Sequence, residues 1–457
     1  MRTWSLSIVV LALAAWGTSL LAAEPAKAEV KGPLAGLPSR PGPHIEQIKA
    51  LGDNQWLKLP PAAGDPQFNP PRQGTVRSWS PKACYDAALG GAFITGEGAH
   101  GWIYKSGHYS DDVVFYDVFA NRWIFVYPGT HVPTLKQKME SGEYKVDEKQ
   151  LGVLVDKDSR PLPIAPMSGH GANTHSYDPA ARKFVFCGST FTYFFPKEPR
   201  ELFQAKRKEK GLPPDADWTF WIYDAVADRF QPASKAQLGA PNAAEVHRIG
   251  PHQVLQYVDS KKMHFWPSDK ADYWLDLAAM KMTVRPIAQG EPRIARGTGQ
   301  HNGCYDPKRD RVYVGGGNTG GTLKVSKDIA EPADNFFYYD VKADRWVKPG
   351  PKGKFPIFWG DGESFVSYDT VQDKLVIMQF NHHIEKEDRF IYVYDPDKNE
   401  FADPVAPTDL PWSRGNMGHA FFCPELNVFV IQMGYGDNAV AETWAWRYKR
   451  APEKKQP

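Results

Sequence analysis

Short apolar runs recur along the chain, each a few residues after a Tyr-Asp pair. Cys84-Tyr85-Asp86 precedes Ala92-Phe93-Ile94, and Cys304-Tyr305-Asp306 precedes Val312-Tyr313-Val314. The same order recurs at Tyr177-Asp178 and Tyr368-Asp369 and, in weaker form, at Tyr257-Val258-Asp259 and Phe421-Phe422. Aspartate side chains accept hydrogen bonds from nearby backbone amides and so begin tight turns. The pattern therefore predicts pairs of short antiparallel strands joined by such turns.

A second pattern alternates with the first: an aromatic strand ends in Asp, and a large residue follows six positions later. Tyr116-Asp117 is followed by Trp123, and Tyr339-Asp340 by Trp346. Further copies are Tyr223-Asp224 with Phe230, Tyr394-Asp395 with Phe401 and, in degenerate form, Leu275-Asp276 with Met282. Together the two patterns supply four short strands, which is one blade of a β-propeller. The pairs begin near Val76, Gly169, Gly250, Gly297, Asp361 and Gly415, so we expect six blades.

The sixth pair of patterns ends at Trp444-Ala445-Trp446 and has no fourth strand after it. A matching stretch stands near the other end of the chain, where Asp53-Asn54-Gln55-Trp56 is similar to Ala120-Asn121-Arg122-Trp123. We therefore predict that Trp56 to Leu59 form the outer strand of the last blade. Such a closure joins the ends of the ring and leaves no open sheet edge for aggregation.

These repeats resemble the kelch repeat over about residues 50 to 450. Its features are glycines after the second strand, an aromatic-Asp pair in the third and a Trp in the fourth, clearest in Gly315-Gly316-Gly317, Tyr339-Asp340 and Trp346. The third and fifth blades lack the glycines and have Trp266-Pro267 and Gln379-Phe380 instead. The resemblance implies an all-β, six-bladed kelch-type propeller. The copper-site residues of galactose oxidase, which has a kelch-like propeller, are not matched, so no copper or other cofactor is expected.

The N-terminal residues indicate where in or outside the cell the protein is found. Arg2 and the apolar run to Ala23 predict a signal peptide over 1–23, with a retained membrane anchor as the alternative. A flexible Pro/Ala-rich lead over 24–48, the propeller over 49–450 and a disordered tail over 451–457 complete the predicted organisation. The protein is then secreted or periplasmic. With 457 residues and a formal charge of +2, the chain gives no electrostatic argument for nucleic-acid binding.

Four cysteines in an exported chain invite a disulfide interpretation. Cys84 and Cys304 hold equivalent positions in opposite blades, farther apart than a disulfide allows. We therefore expect free thiols at these positions and at Cys187 and Cys423. A closed ring leaves no strand edge to share, so a monomer is expected.

Long segments and most histidines gather on one predicted face. The segments run over 97–110, 130–166, 189–217, 318–334 and 381–388, and all connect second strands to third strands or one blade to the next. Because strands in a blade alternate in direction, these connections share a face, which we call the long-loop face. Long loops on a rigid scaffold are where binding groups tend to sit.

Two kinds of function suit this face. The first is a binding module for an extracellular glycan or protein, with aromatic and polar contacts. Its candidate ligand-binding residues are Trp102, Tyr104, Asn173, Asn302, Trp359 and Glu363. The alternative is a polysaccharide lyase or sugar epimerase that acts on acidic sugars through His and Tyr as acid and base. Its candidate catalytic residues are His175, His301, His419, Tyr109, Arg296 and Arg414.

The inner-strand histidines also have a purely structural interpretation. His or Arg at the start of an inner strand can bond the backbone of a neighbouring blade instead of a substrate. No tight zinc spacing of the His-Glu-x-x-His kind is present, so no metal site is predicted. Apart from the signal segment, no stretch is apolar enough to predict a membrane contact.

Overall fold

The strands form four-stranded antiparallel sheets that follow one another along the chain. The computed structural model describes residues 29–76, 82–95, 106–109, 111–148, 153–162, 174–188, 197–211, 219–234, 237–239, 254–267, 271–292, 301–316, 336–356, 364–379, 390–405, 416–435 and 440–451. Within these residues there are six four-stranded sheets and one small three-stranded sheet.

The first five four-stranded sheets each use four consecutive strands. The first contains β2 (Cys84–Asp86), β3 (Gly91–Thr95), β4 (Val113–Asp117) and β5 (Arg122–Tyr127). The second contains β9 (His175–Asp178), β10 (Lys183–Gly188), β11 (Thr219–Asp224) and β12 (Arg229–Ser234). The third contains β13 (Gln256–Val258), β14 (Met263–Pro267), β15 (Ala271–Asp276) and β16 (Lys281–Pro286). The fourth contains β17 (His301–Asp306), β18 (Arg311–Gly316), β19 (Phe336–Asp340) and β20 (Arg345–Val347). The fifth contains β21 (Ser364–Asp369), β22 (Lys374–Gln379), β23 (Ile391–Asp395) and β24 (Glu400–Phe401).

The sixth sheet takes its strands from both ends of the described chain. It contains β25 (Asn416–Cys423), β26 (Val428–Tyr435), β27 (Glu442–Arg447) and, beside β27, β1 (Gln55–Lys58). Trp56 lies opposite Trp446 in this antiparallel pair, as Trp123 lies opposite Tyr116 in the first sheet. Trp446 Nε1 donates to Asn54 Oδ1 at 3.0 Å, just as Tyr116 donates to Asn121 at 2.7 Å. The sequence around Trp56 therefore forms the strand pairing that its similarity to residues 120–123 predicted.

The tight turns after the aspartates have one construction throughout the described sheets. Asp86 Oδ1 accepts from Ala88 N at 2.8 Å, and Asp178 Oδ1 from Ala180 N at 2.9 Å, as the sequence pattern predicted. Four residues after each such aspartate, the backbone enters the left-handed region, where Gly, Asn and Asp are tolerated best. Residues with this conformation include Gly90, Asn121, Asp228, Asp310, Asp344, Asp373 and Asn399. These turns share one end of the strands, which we call the tight-turn face.

The first strands of the six sheets contact one another in sequence. β2 contacts β9, β9 contacts β13, β13 contacts β17, β17 contacts β21, β21 contacts β25, and β25 contacts β2. Tyr-Asp pairs link neighbouring sheets, because Tyr177 in the second donates to Asp86 Oδ2 in the first. Tyr85 likewise donates to Glu425 Oε2 in the sixth sheet at 2.7 Å. The inner strands therefore surround a common axis.

Layers of apolar side chains fill the space between neighbouring sheets. One buried cluster joins the first sheet with the sixth through Phe125, Val430 and Ala445. Another joins the first sheet with the second and contains Phe93, which stacks on Phe184 with ring centroids 5.0 Å apart. Burial of aromatic rings on both faces of each sheet explains the unusually high aromatic content of the sequence.

The segment before β1 is ordered where it is described, whereas its composition predicted a flexible lead. It contains a 3-10 turn (Gly32–Leu34) and helix α1 (His44–Ala50), with Ile45 and Ile48 buried in the core. The Arg447 guanidinium donates to the carbonyls of Ile48 and Lys49 at 3.1 Å each, which satisfies the C-terminal end of α1. Apolar spacing within the helix, which composition does not reveal, accounts for this difference.

Two of the long segments contain further elements. The segment between β5 and β9 contains α2 (Val132–Glu140) and a small sheet of β6 (Lys145–Val146), β7 (Leu154–Val155) and β8 (Pro161–Leu162). The segment between β10 and β11 contains α3 (Lys197–Glu209). None of the helices among the described residues is both long and apolar enough to cross a bilayer.

Candidate functional site

Five of the twelve predicted site residues lie in the described part of the chain. These are His175, His301, His419, Tyr109 and Asn302, and for His301 only the backbone is described, as the first residue of β17. The other seven, Arg296, Arg414, Trp102, Tyr104, Asn173, Trp359 and Glu363, lie outside the described residues.

His175 begins β9 and is fully buried. Its Nε2 donates to the backbone carbonyl of Lys82 in the neighbouring sheet at 2.8 Å. Burial, then the nearby charge of Lys82, lowers the pKa of His175 to about 3. The ring is therefore neutral at physiological pH, and its only protonated nitrogen bonds backbone.

His419 has a similar place in β25. It is fully buried, and its Nε2 donates to the Thr75 carbonyl at 3.4 Å, just before the first sheet. His419 also contributes to the lowered pKa of His175, so the two rings are within electrostatic reach of each other. Both histidines bind the segment that leads into β2, as in the structural interpretation of the sequence.

Asn302 connects the fourth sheet to the fifth. Its Nδ2 donates to the Ser364 carbonyl at the start of β21, and its Oδ1 accepts from Gly303 N at 2.9 Å. The side chain is almost fully buried. Its described contacts thus join two inner strands.

Tyr109 lies apart from the inner strands. It is buried in a cluster with Leu135, Val146 and Leu154, which belong to the long segment after β5. Its backbone N donates to the Thr130 carbonyl at 2.7 Å. The described residues therefore do not bring Tyr109 beside His175 and His419, although the lyase interpretation requires such a meeting.

A central cavity of about 380 Å³ lies among the inner strands of all six sheets. Its lining is residues 82–85, 176–177, 179, 256–257, 303–305, 307, 365–368, 370, 421–422 and 424. Pro179, Pro307, Thr370 and Pro424 stand in or beside the tight turns, so the cavity extends toward the tight-turn face.

Lys82 is the cationic side chain among the residues that line this cavity. Its Nζ donates to the Leu255 carbonyl at 2.6 Å and to Gln256 Oε1 at 3.4 Å, both in the third sheet. Its backbone pairs with Ala420 of β25 and accepts the His175 bond. Burial has the largest effect on the pKa of Lys82 and lowers it, whereas Cys84 and Cys304 act in the opposite direction.

The sequence analysis did not predict that Lys82 lines this cavity. Lys82 stands three residues before Tyr85, where the other sheets have Thr174, Val254, Asn302, Phe365 and Gly418. Lys82 is the one charged residue at this repeat position, and that feature of the sequence could have indicated the cavity. The repeat pattern alone did not show that its ammonium crosses from the first sheet to the third.

Cys84, Cys304 and Cys423 are free and buried, as expected, and the side chain of Cys187 lies outside the described residues. Burial raises the pKa of Cys84 to about 11 and that of Cys423 to about 12. Because the thiolate is the reactive form, these thiols are poor nucleophiles at neutral pH. Within the described residues, His, Cys, Asp and Glu side chains do not gather in threes that could hold a metal ion.

The antiparallel four-stranded sheets, arranged by their inner strands around a cavity, define the chain as a β-propeller. No family model and no curated protein matches the sequence. Among solved structures, it is similar to the extracellular domain of a putative hybrid two-component system from Bacteroides thetaiotaomicron, with 9% identity and a TM-score of 0.39. That likeness covers 88% of this chain but only 44% of the other, so this chain spans less than half of that protein.

Two further solved structures have comparable likeness. A protein of unknown function from Bacteroides thetaiotaomicron has 8% identity and a TM-score of 0.40, over 87% of this chain and 73% of that chain. The β-propeller domain of the Trilobed protease from Pyrococcus furiosus has 11% identity and a TM-score of 0.33, over 84% and 99% respectively. At these TM-scores and sequence identities, none of these structures supports a functional assignment for this chain.

Proposed function

We propose that this protein is an exported, six-bladed, kelch-like β-propeller that binds an extracellular glycan or protein through its long-loop face. The six four-stranded sheets would be the six blades, and the pairing of β1 with β27 would close the ring. The N-terminal apolar run supports export, and the glycine and aromatic-Asp repeats support the kelch likeness.

The observation that carries the proposal is the contrast between the two ends of the strands. At the tight-turn face, Asp86 and Gly91 are separated by residues 87–90, and Asp395 and Glu400 by residues 396–399. At the opposite end, β10 and β11 are separated by residues 189–218, and β18 and β19 by residues 317–335. Such an asymmetry is typical of scaffolds that bind through one set of loops.

Two of the candidate catalytic histidines, His175 and His419, favour binding over acid-base catalysis. An enzyme of the lyase or epimerase kind needs an accessible His within reach of the substrate proton. His175 and His419 are instead fully buried and donate their Nε2 protons to backbone carbonyls. In the described structure, these two hydrogen bonds join neighbouring sheets.

A screen of immobilised polysaccharides and extracellular protein extracts tests this proposal. Trp102→Ala and Trp359→Ala, which the sequence predicts for the long-loop face, should weaken binding to any hit by at least about tenfold, because aromatic anchors carry much of an interface's energy. The matched control is Lys281→Ala, an exposed position beside a tight turn, which should bind like the wild type. If Lys281→Ala lost binding and both Trp variants kept it, the ligand would bind at the tight-turn face, and the proposal would be wrong.

A further inference from the structure

The Lys82 ammonium lacks a neutralising carboxylate in the described structure. The contributions to its lowered pKa are burial and the two thiols of Cys84 and Cys304, with no carboxylate of the described residues among them. Its two hydrogen bonds go to neutral oxygens, the Leu255 carbonyl and Gln256 Oε1. Lys82 is half-buried, and a charge that is partly withdrawn from water is stabilised by an opposite charge, so this position favours an anion that the described residues do not supply.

Two histidines near Lys82 are neutral at pH 7, because burial lowers the pKa of each to about 3. His264 is fully buried, and neither of its ring nitrogens has a hydrogen-bond partner among the described residues. His175 Nδ1 is likewise buried without a partner in the described part of the chain. Both rings lie within electrostatic reach of Lys82. Neither ring is among the residues that line the cavity, so Lys82 is the charged group of the described residues there.

The cavity beside Lys82 has the size and chemistry for a small ligand. Its volume of about 380 Å³ is at the lower end of the range for ligand pockets. The hydroxyl-bearing residues Ser176, Ser367 and Thr370 and the apolar Phe365 and Val366 also line it. An oxyanion at Lys82 would therefore find hydroxyl donors and an apolar wall for an attached carbon skeleton.

We propose that the central cavity is a binding site for a small organic anion, with Lys82 as the residue that pairs with its carboxylate or phosphate group. The anion enters from the tight-turn face, where Pro179, Pro307 and Pro424 frame the cavity. This site is separate from the long-loop face and does not depend on the proposed function. The Lys82 ammonium donates a third hydrogen bond to the anion and keeps its two hydrogen bonds to Leu255 and Gln256.

Titration calorimetry at pH 7 and constant ionic strength tests the proposal, with sodium phosphate and sodium galacturonate as probes and sodium chloride as the reference. The wild type should bind at least one probe with an affinity that Lys82→Met weakens by at least about tenfold, as expected for a lost bond between charged groups. Lys82→Arg should retain binding, and the exposed Lys261→Met should match the wild type. Equal affinity of Lys82→Met and wild type would overturn the proposal, as would no binding of either probe to the wild type. Tighter binding of phosphate would indicate a phosphate ligand, and tighter binding of galacturonate would indicate a carboxylate ligand.

A labelling experiment on the wild type covers the case in which Lys82→Met fails to fold, since Lys82 joins several sheets. Pyridoxal phosphate carries both a phosphate and an aldehyde. The Lys82 amine would condense with the aldehyde to an imine and release water, and added borohydride would reduce the imine to a stable amine. Peptide mass spectrometry should find the label at Lys82, and excess phosphate should suppress it. Labelling of exposed lysines alone, unaffected by phosphate, would overturn the proposal.

Discussion

At the scale of the residue, the buried histidines show how an apparent catalytic set can serve structure. The sequence placed His175 and His419 correctly at inner strands, because alternation along a strand fixes which side chains face inward. The structural interpretation anticipated backbone acceptors in a neighbouring blade, but it did not identify them as the carbonyls of Lys82 and Thr75. Those acceptors lie in a different sheet, and contacts across sheets depend on packing that no local pattern encodes.

His264 should make the protein less stable in acid. Burial lowers its folded pKa to about 3, below the ordinary value of 6.5. As the pH falls below about 6.5, the unfolded chain binds a proton that the folded protein does not, so stability is lost between pH 6.5 and 3. The slope for this one group is about 1.4 kcal/mol per pH unit.

Replacement His264→Leu, of similar volume, should therefore reduce the fall in unfolding free energy between pH 6.5 and 4.5 by about 1–3 kcal/mol. It should also stabilise the protein by about 1 kcal/mol at pH 7, because a buried polar ring without a partner is removed. Urea unfolding at a series of pH values measures both effects. A pH dependence identical to that of the wild type would show that His264 is solvated in the folded state.

At the scale of the element, the Tyr-Asp turns were the most predictable part of the fold. Their aspartates bond the backbone two residues later, and a left-handed residue follows at a fixed position. These hydrogen bonds join residues two positions apart in the chain, so a short sequence pattern predicts them. Helix α1 was missed because its stability depends on burial of Ile45 and Ile48 against distant strands.

Lys262 gives a direct test of the turn geometry. It adopts a φ of 54° in the turn between β13 and β14, a conformation that costs an L residue about 1 kcal/mol relative to glycine. Lys262→Gly should therefore raise the unfolding free energy by about 0.5–1 kcal/mol, despite the loss of an exposed ion pair with Asp259. The neighbouring exposed Lys261, which is not in the left-handed region, is the matched control. Lys261→Gly should be neutral or destabilising, and the same response at both positions would contradict the turn assignment.

At the scale of the whole molecule, the pairing of β1 with β27 joins residues about 390 positions apart in the chain. Trp56 stacks on Trp446 with ring centroids 5.4 Å apart. This long-range pair was predictable because the sequence around Trp56 copies a local pattern found in other repeats. The contact of Lys82 across the central cavity was not predictable, because its ammonium bonds the Leu255 carbonyl, which is far from it in the sequence.

Trp56→Ala should lower the unfolding free energy by about 2–3 kcal/mol, since a half-buried indole and its stacking partner are separated. Lys58→Ala on the same strand breaks an exposed ion pair with Glu442 and a cation–π contact with Trp444, and it should change stability by less than about 1 kcal/mol. Guanidinium unfolding followed by tryptophan fluorescence compares the two variants. Equal, small effects would mean that β1 contributes little to holding the ends of the chain together.

The central claim is that ligands bind at the long-loop face, and hydrogen-deuterium exchange tests it most directly. Exchange is measured on the protein alone and when saturated with a polysaccharide or protein obtained from the binding screen. The account predicts slower exchange in residues 96–112, 317–335 and 380–390, with residues 87–90, 307–310 and 396–399 of the tight-turn face unchanged. Slower exchange confined to the tight-turn segments would contradict the assignment of the binding face.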